Sequence, residues 1–146
     1  MNRRNLIAAV AGAWLVAVAG CAETGAAARD EDVVVYHLSE GLAQASNGLR
    51  NVGNHLEVNP KAKIVVVAHA QGVDYLFKGA RDKNGNKYED IVERLKMQGV
   101  RFDVCEITLR NRKLSKDRFI ADATYVPSGV AEISKLQHQG YAYIKP

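Results

Sequence analysis

Thiols are scarce in this chain. Among its 146 residues only Cys21 and Cys105 carry one, and no CxxC pair occurs. There is no Walker A loop, no GxGxxG turn and no HExxH helix, which removes the standard signatures of phosphate cradles, dinucleotide sites and zinc hydrolases. A GxSxG nucleophile elbow is missing too. Excess charge is also lacking. The formal net charge is +4, and setting aside Arg3 and Arg4 leaves 18 basic against 16 acidic residues. So small and scattered a surplus argues against a nucleic-acid partner. No internal repeat is visible. The longest apolar run, Leu6 to Ala19, covers about 14 residues, short of a permanent membrane span. What remains is ordinary: 47% hydrophobic and 25% charged residues, enough for one domain with a real core and no need of disulfides.

The N-terminus reads as an export signal over residues 1–20. Arg3 and Arg4 supply a positive start, the apolar run follows, and Val18-Ala19-Gly20-Cys21 places small residues before a cysteine. These four positions resemble a bacterial lipobox, with Cys21 as the lipidated residue. The expectation is a periplasmic protein held by a lipid anchor. Ala22 lacks the aspartate linked to inner-membrane retention, which favours the outer membrane. Residues 21–31 are mostly small or polar and fit a flexible tether. With Cys21 lipidated, Cys105 is the one remaining thiol and no internal disulfide forms.

Residues 32–146 alternate between two periodicities. Val33 to Tyr36, Ile64 to Ala68, Val100 to Cys105, Thr124 to Val126 and Tyr141 to Ile144 read as strands. Leu42, Ala45, Leu49, Val52 and Leu56 mark a helical stripe that Ser39 can cap and Asn59-Pro60 ends. Gly48 and Gly53 weaken that helix, or let it approach a sheet. A short helix is expected from Val73 to Phe77, another over Ile107 to Arg112, and a surface loop over residues 82–86. Tyr88, Ile91, Val92 and Leu95 give a further stripe, closed by Gly99. Val130, Ile133 and Leu136 give the last, opened by Pro127-Ser128 and stopped at Gly140. This alternation predicts an α/β fold of three layers, a mainly parallel five-stranded sheet with helices on both faces. A flavodoxin-like strand order would place the first and third strands side by side.

In such sheets ligands bind beyond the carboxyl ends of the strands. His37, His69 and Cys105 fall at three of those ends. With the first and third strands adjacent, His37 and Cys105 share a crevice and form the catalytic candidates. His69, Gln71, Gly72 and Ser39 are binding candidates around them. The loop from His69 to Gly72 would offer backbone donors to an anion. Cys105 precedes a helix whose free N–H groups favour a thiolate, although packing explains a lone cysteine equally well. A metal held by His37, His69 and Cys105 lacks a second cysteine or a Met-rich loop, so neither metal nor cofactor is expected. His55 and His138 read as surface residues, and Tyr36, Tyr125, Tyr141 and Tyr143 as packing.

The stretch from Gly99 to Leu109, GVRFDVCEITL, resembles the cysteine segment of the DsrE/DsrF-like family of sulfur-relay proteins. Val35 to Leu38 is similar to the family as well, and so is Lys63 to His69 followed by Gly72-Val73. Val126 to Val130 and Gln139 to Pro146 resemble its less characterised exported branch. The similarity covers residues 32–146. It implies a five-stranded parallel sheet, a homo-oligomer (trimer or hexamer), and a persulfide on the cysteine at the position of Cys105, passed between thiol-bearing partner proteins or received from small sulfur donors. It assigns no role to His37 or His69. The best understood relays act in the cytosol, whereas this chain reads as exported, so RNA thiolation is not expected. Two functions follow: transfer of sulfane sulfur through Cys105, or a non-catalytic binding or assembly module in which Cys105 is structural.

Overall fold

β-Branched runs build the sheet and glycines decide how closely the helices lie on it. The computed structural model describes residues 31–146. The expected signal, the expected lipidation at Cys21 and all of the expected tether but its last residue lie outside the described residues. Strands β1 (Val33–Leu38), β2 (Lys63–Ala68), β3 (Arg101–Cys105), β4 (Thr124–Val126) and β5 (Ala142–Ile144) pair in parallel. Helices α1 (Gly41–Val58), α2 (Tyr88–Met97), α3 (Glu106–Arg112) and α4 (Gly129–His138) alternate with them, and a 3₁₀ helix over Ala70–Leu76 follows β2. Among the described residues no helix is long and apolar enough to cross a membrane.

The strand order is β4-β3-β2-β1-β5, which corrects the flavodoxin-like expectation. β1 and β3 are not neighbours, because β2 lies between them. The chain steps sideways one strand at a time from β1 to β4, and α4 then carries it back to the far edge. A right-handed crossover running backwards must place its helix on the opposite face. Val34, Tyr36, Leu38, Ile64, Val66 and Phe102 accordingly pack with Leu49, Val52, Val92 and Leu109 in the larger core. Val35, Val65 and Val67 meet Ile133 and Leu136 of α4 in the smaller one. On β1, β2 and β3 the odd-numbered positions therefore face α4, and His37 and Cys105 are odd.

Ser39 does not cap α1. The helix starts at Gly41, and the buried Gln44 turns back so that its Oε1 accepts from Ser39 N (2.7 Å) and Glu40 N (2.8 Å). Ser128 does cap α4, its Oγ accepting from Ala131 N at 3.3 Å. Val130, expected in the α4 stripe, is 63% exposed. His55 is half-buried rather than superficial. Its Nδ1 bonds Tyr36 Oη at 3.1 Å and its Nε2 meets Asp32 Oδ2 at 2.7 Å, pinning the start of β1 to the last turns of α1.

The two α1 glycines differ. A Cβ on Gly48 would lie 2.7 Å from Leu38 Cδ2, whereas one on Gly53 meets nothing within 4 Å. Gly53→Ala is therefore expected to stabilise the domain by about 0.5–1 kcal/mol, the helix-propensity gain. Gly48→Ala should give no such gain, because Leu38 has to move. Urea unfolding of both variants checks this, and an equal response would refute it.

Candidate functional site

Cys105 closes β3, and α3 begins at the next residue. Only 4% of the residue is exposed, yet it is not sealed among aliphatic side chains. It lines an open pocket of about 540 Å³ with His69, Gln71, Thr108, Arg112 and Val130. Cys105 makes no tight side-chain cap on α3. Its sulfur instead faces the main-chain N–H groups of Gly129, Thr108 and Ile107 and the Thr108 hydroxyl. Burial pushes the thiol pKa up, but these four donors together outweigh burial and hold it below the ordinary thiol range.

The Thr108 hydroxyl and the Gly129 N–H each have a structural reason to be there. Thr108 Oγ1 accepts from Ala70 N at 2.9 Å, which leaves its own hydroxyl hydrogen free to turn to the sulfur. Ala70 adopts a left-handed conformation, φ +50°. Arg112 fixes that turn, with Nη1 donating to Ala70 O (2.8 Å) and Asp74 Oδ1 (2.6 Å). Gly129 brings the start of α4 against the sheet. A Cβ there would lie 3.2 Å from Cys105 Cβ, 3.3 Å from His69 Cβ and 3.4 Å from Val67 Cγ1.

His37 is not the direct neighbour of Cys105 that the adjacent-strand picture required, since β2 intervenes. His69, at the end of β2, occupies the pocket wall beside the cysteine. His37 reaches it through a side-chain bond, Nε2 to Nε2 at 2.6 Å, and its Nδ1 bonds Tyr143 Oη at 2.6 Å. Tyr143 is thus a polar partner rather than packing, and it is 43% exposed. Burial lowers the His37 pKa to about 4, helped by His69 and Lys145 and opposed by Glu40. Burial, then Lys145, lowers that of His69 as well. Both rings are neutral at neutral pH.

Gln71 lines the pocket. Ser39 is not among the residues lining it. Neither is Gly72, whose place is dictated by packing: a Cβ there would fall 2.2 Å from Leu38 O. The anion-binding reading of the loop from His69 to Gly72 is also corrected. His69 N donates to Leu38 O, Ala70 N to Thr108 Oγ1 and Gly72 N to His69 O, so those donors are spent internally. Among the described residues, no group of three or more His, Cys, Asp and Glu is placed to hold a metal ion. Thr108, Gly129 and Tyr143 went unnoticed in the sequence as site residues. A helix-opening Ser-Gly and a Thr three residues after a cysteine were the only local signals, and neither is specific.

Fold and site define a small parallel α/β protein in which the thiol of Cys105, its pKa lowered, stands at the carboxyl edge of the sheet. The DsrE/DsrF-like family model matches residues 17–146, and the chain belongs to that family. Among solved structures, it is similar to the protein of unknown function MTH1491 from Methanobacterium thermoautotrophicum. The two are 32% identical, with 80% of this chain and 100% of that one covered and a TM-score of 0.70. It also resembles the ychN protein from E. coli at 15% identity, covering 80% and 99%, with a TM-score of 0.65. That second likeness concerns the fold alone. No curated protein matches the chain.

Proposed function

We propose that this protein carries sulfane sulfur as a persulfide on Cys105. One observation supports the reading above all: a mostly buried thiol stands at the wall of an open pocket, facing main-chain N–H groups and a hydroxyl that lower its pKa against the effect of burial. Packing alone needs no such donors. The thiolate attacks the outer sulfur of a donor persulfide, forming the new S–S bond of Cys105–S–SH. The donor's own S–S bond breaks, its inner sulfur leaves as a thiolate, and the proton stays on the transferred sulfur. An acceptor thiolate then attacks that same outer sulfur and regenerates the Cys105 thiolate. Donor and acceptor are thiol-bearing proteins or small sulfur compounds.

In this proposal residues 1–20 direct export and lipid on Cys21 anchors the domain in the periplasm, at the outer rather than the inner membrane. The domain works there as a homo-oligomer, a trimer or hexamer.

Intact-mass measurement after incubation with inorganic polysulfide tests the carrier role. Wild type is expected to gain one sulfur atom that dithiothreitol removes, and Cys105→Ser to gain none. The 4% exposure of Cys105 favours one other reading, a binding module with a structural cysteine. A wild-type protein that takes up no sulfur, and whose Cys105 alkylates only in denaturant, would establish that reading instead.

A further inference from the structure

Among the groups around the Cys105 pocket, one chain of side chains plays no part in holding the thiolate. Tyr143 Oη, His37 Nδ1 and Nε2, and His69 Nε2 form two consecutive bonds of 2.6 Å each. One end is the exposed hydroxyl of β5 and the other is the pocket wall. Among the described residues no group bonds His69 Nδ1, so this residue of the pocket wall keeps one ring nitrogen uncommitted. Structural packing does not call for this arrangement, since either imidazole could be solvated separately.

We propose that Tyr143, His37 and His69 form a proton relay between solvent and the pocket, with His69 Nδ1 exchanging protons with the thiols that bring and take sulfur. The inference rests on the carrier reading and adds the acid–base chemistry that reading leaves open. The relay has two polarities. In one, Tyr143 donates to His37 Nδ1, His37 Nε2–H donates to His69 Nε2, and His69 carries its proton on Nδ1. In the other, every bond is reversed and His69 Nδ1 is bare.

Loading uses the first polarity. The leaving thiolate takes the Nδ1 proton, His69 Nε2 is protonated by His37, His37 Nδ1 by Tyr143, and Tyr143 by solvent. Unloading uses the second. An acceptor thiol gives its proton to Nδ1, the shifts run backwards, and Tyr143 releases one proton to solvent. Each half-reaction leaves the relay set for the other. No oxidant or reductant enters, and one proton is taken up and one released per cycle.

Neutral rings suit this role, since an imidazolium pair would have no acceptor nitrogen to bond. The charged and titratable groups around the relay fit. Lys145, beyond Tyr143 on β5, and Glu40, ahead of α1, pair with each other at 2.6 Å. On the pocket side stand Cys105, at the end of β3, and Arg112, itself bonded to Asp74.

The test compares two acceptors with persulfide-loaded protein across pH: dithiothreitol, protonated at neutral pH, and 5-thio-2-nitrobenzoate, already a thiolate. Tyr143→Phe and His37→Asn are expected to slow transfer to dithiothreitol about tenfold or more at pH 7, a modest share of general acid–base catalysis. The deficit should fade as pH rises through the dithiothreitol pKa. Transfer to 5-thio-2-nitrobenzoate, and the pH profile of Cys105 alkylation, should not move. Equal slowing with both acceptors, an altered alkylation profile, or no slowing with either would overturn the relay. Wild type that never loads sulfur removes the carrier reading and the relay with it. Loading with acceptor-independent slowing removes the relay alone.

Discussion

Thr108→Val is expected to move the midpoint of Cys105 alkylation to higher pH by about one to two units. A hydrogen bond to a charged group contributes about 1.5–3 kcal/mol, and one pKa unit corresponds to about 1.4 kcal/mol. At pH values below the wild-type midpoint the thiolate fraction would fall about ten- to a hundredfold. A more basic thiolate is also a better nucleophile, with a Brønsted slope near 0.5, so about half of that logarithmic loss returns. The net rate with iodoacetamide should drop about three- to tenfold at pH values below the wild-type midpoint and recover in alkali. Valine also deprives Ala70 N–H of its 2.9 Å acceptor, loosening the turn that Arg112 fixes. Gly129→Ala should act in the same direction but less. Its methyl would press on Cys105, His69 and Val67 at 3.2–3.4 Å and ease the start of α4 away from the sulfur. Rate–pH profiles of the two variants and wild type decide the matter. An unmoved midpoint in Thr108→Val would mean that the hydroxyl does not serve the sulfur.

The largest effect on stability is expected at Arg101. Asp103 is fully buried on the α4 face of β3. Its carboxylate takes a bidentate pair from Arg101, Nε to Oδ1 at 3.0 Å and Nη2 to Oδ2 at 2.8 Å. The same Nη2 reaches Glu132 of α4 at 2.8 Å. Burial pushes the Asp103 pKa up, and Arg101 pulls it back. Removing one partner of a buried pair costs about 3–5 kcal/mol. The Arg101 side chain is 44% exposed, and Asp103 can escape by taking a proton. Both place Arg101→Leu near the lower end, about 3 kcal/mol at pH 7.

The sign of the pH dependence follows from the carboxyl group. In the variant its folded pKa lies further above the unfolded value. The deficit is therefore complete above the folded pKa and shrinks as pH falls toward the ordinary carboxylate range, near about 4. Arg101→Leu combined with Asp103→Leu should recover most of the loss, since two apolar side chains need no counterion. Urea unfolding between pH 4 and pH 7 measures it. A deficit that does not change with pH would place the cost in lost packing of the arginine stem. Because Asp103 lies two residues before Cys105, the single variant should also loosen α4 and slow alkylation.

Much of this molecule was legible in its sequence, because the informative features are local. A run such as Ile64 to Ala68, short and rich in β-branched residues, reads as a covered strand. Ser128 before Gly129 opens a helix whichever way that helix later lies, and β3 had to end near Cys105 with a helix directly after it. Periodicity, capping and turn chemistry act over a few residues, so they fixed the elements, the α/β class and the carboxyl-edge position of His37, His69 and Cys105.

Which of these side chains meet was settled only by packing. A helical crossover can land a strand on either side of its predecessor, and nothing within α1 says which. The stepwise order put β2 between β1 and β3, making His69 the neighbour of the cysteine and His37 a partner of that neighbour. The return of α4 across the second face delivered Gly129 N–H to the sulfur and left Val130 at the pocket mouth. β5, at the edge beside β1, brought Tyr143 to His37. These contacts span from 24 residues of sequence, between Cys105 and Gly129, to 106, between His37 and Tyr143. Their energies depend on burial and on donor direction, which exist only after the layers have closed.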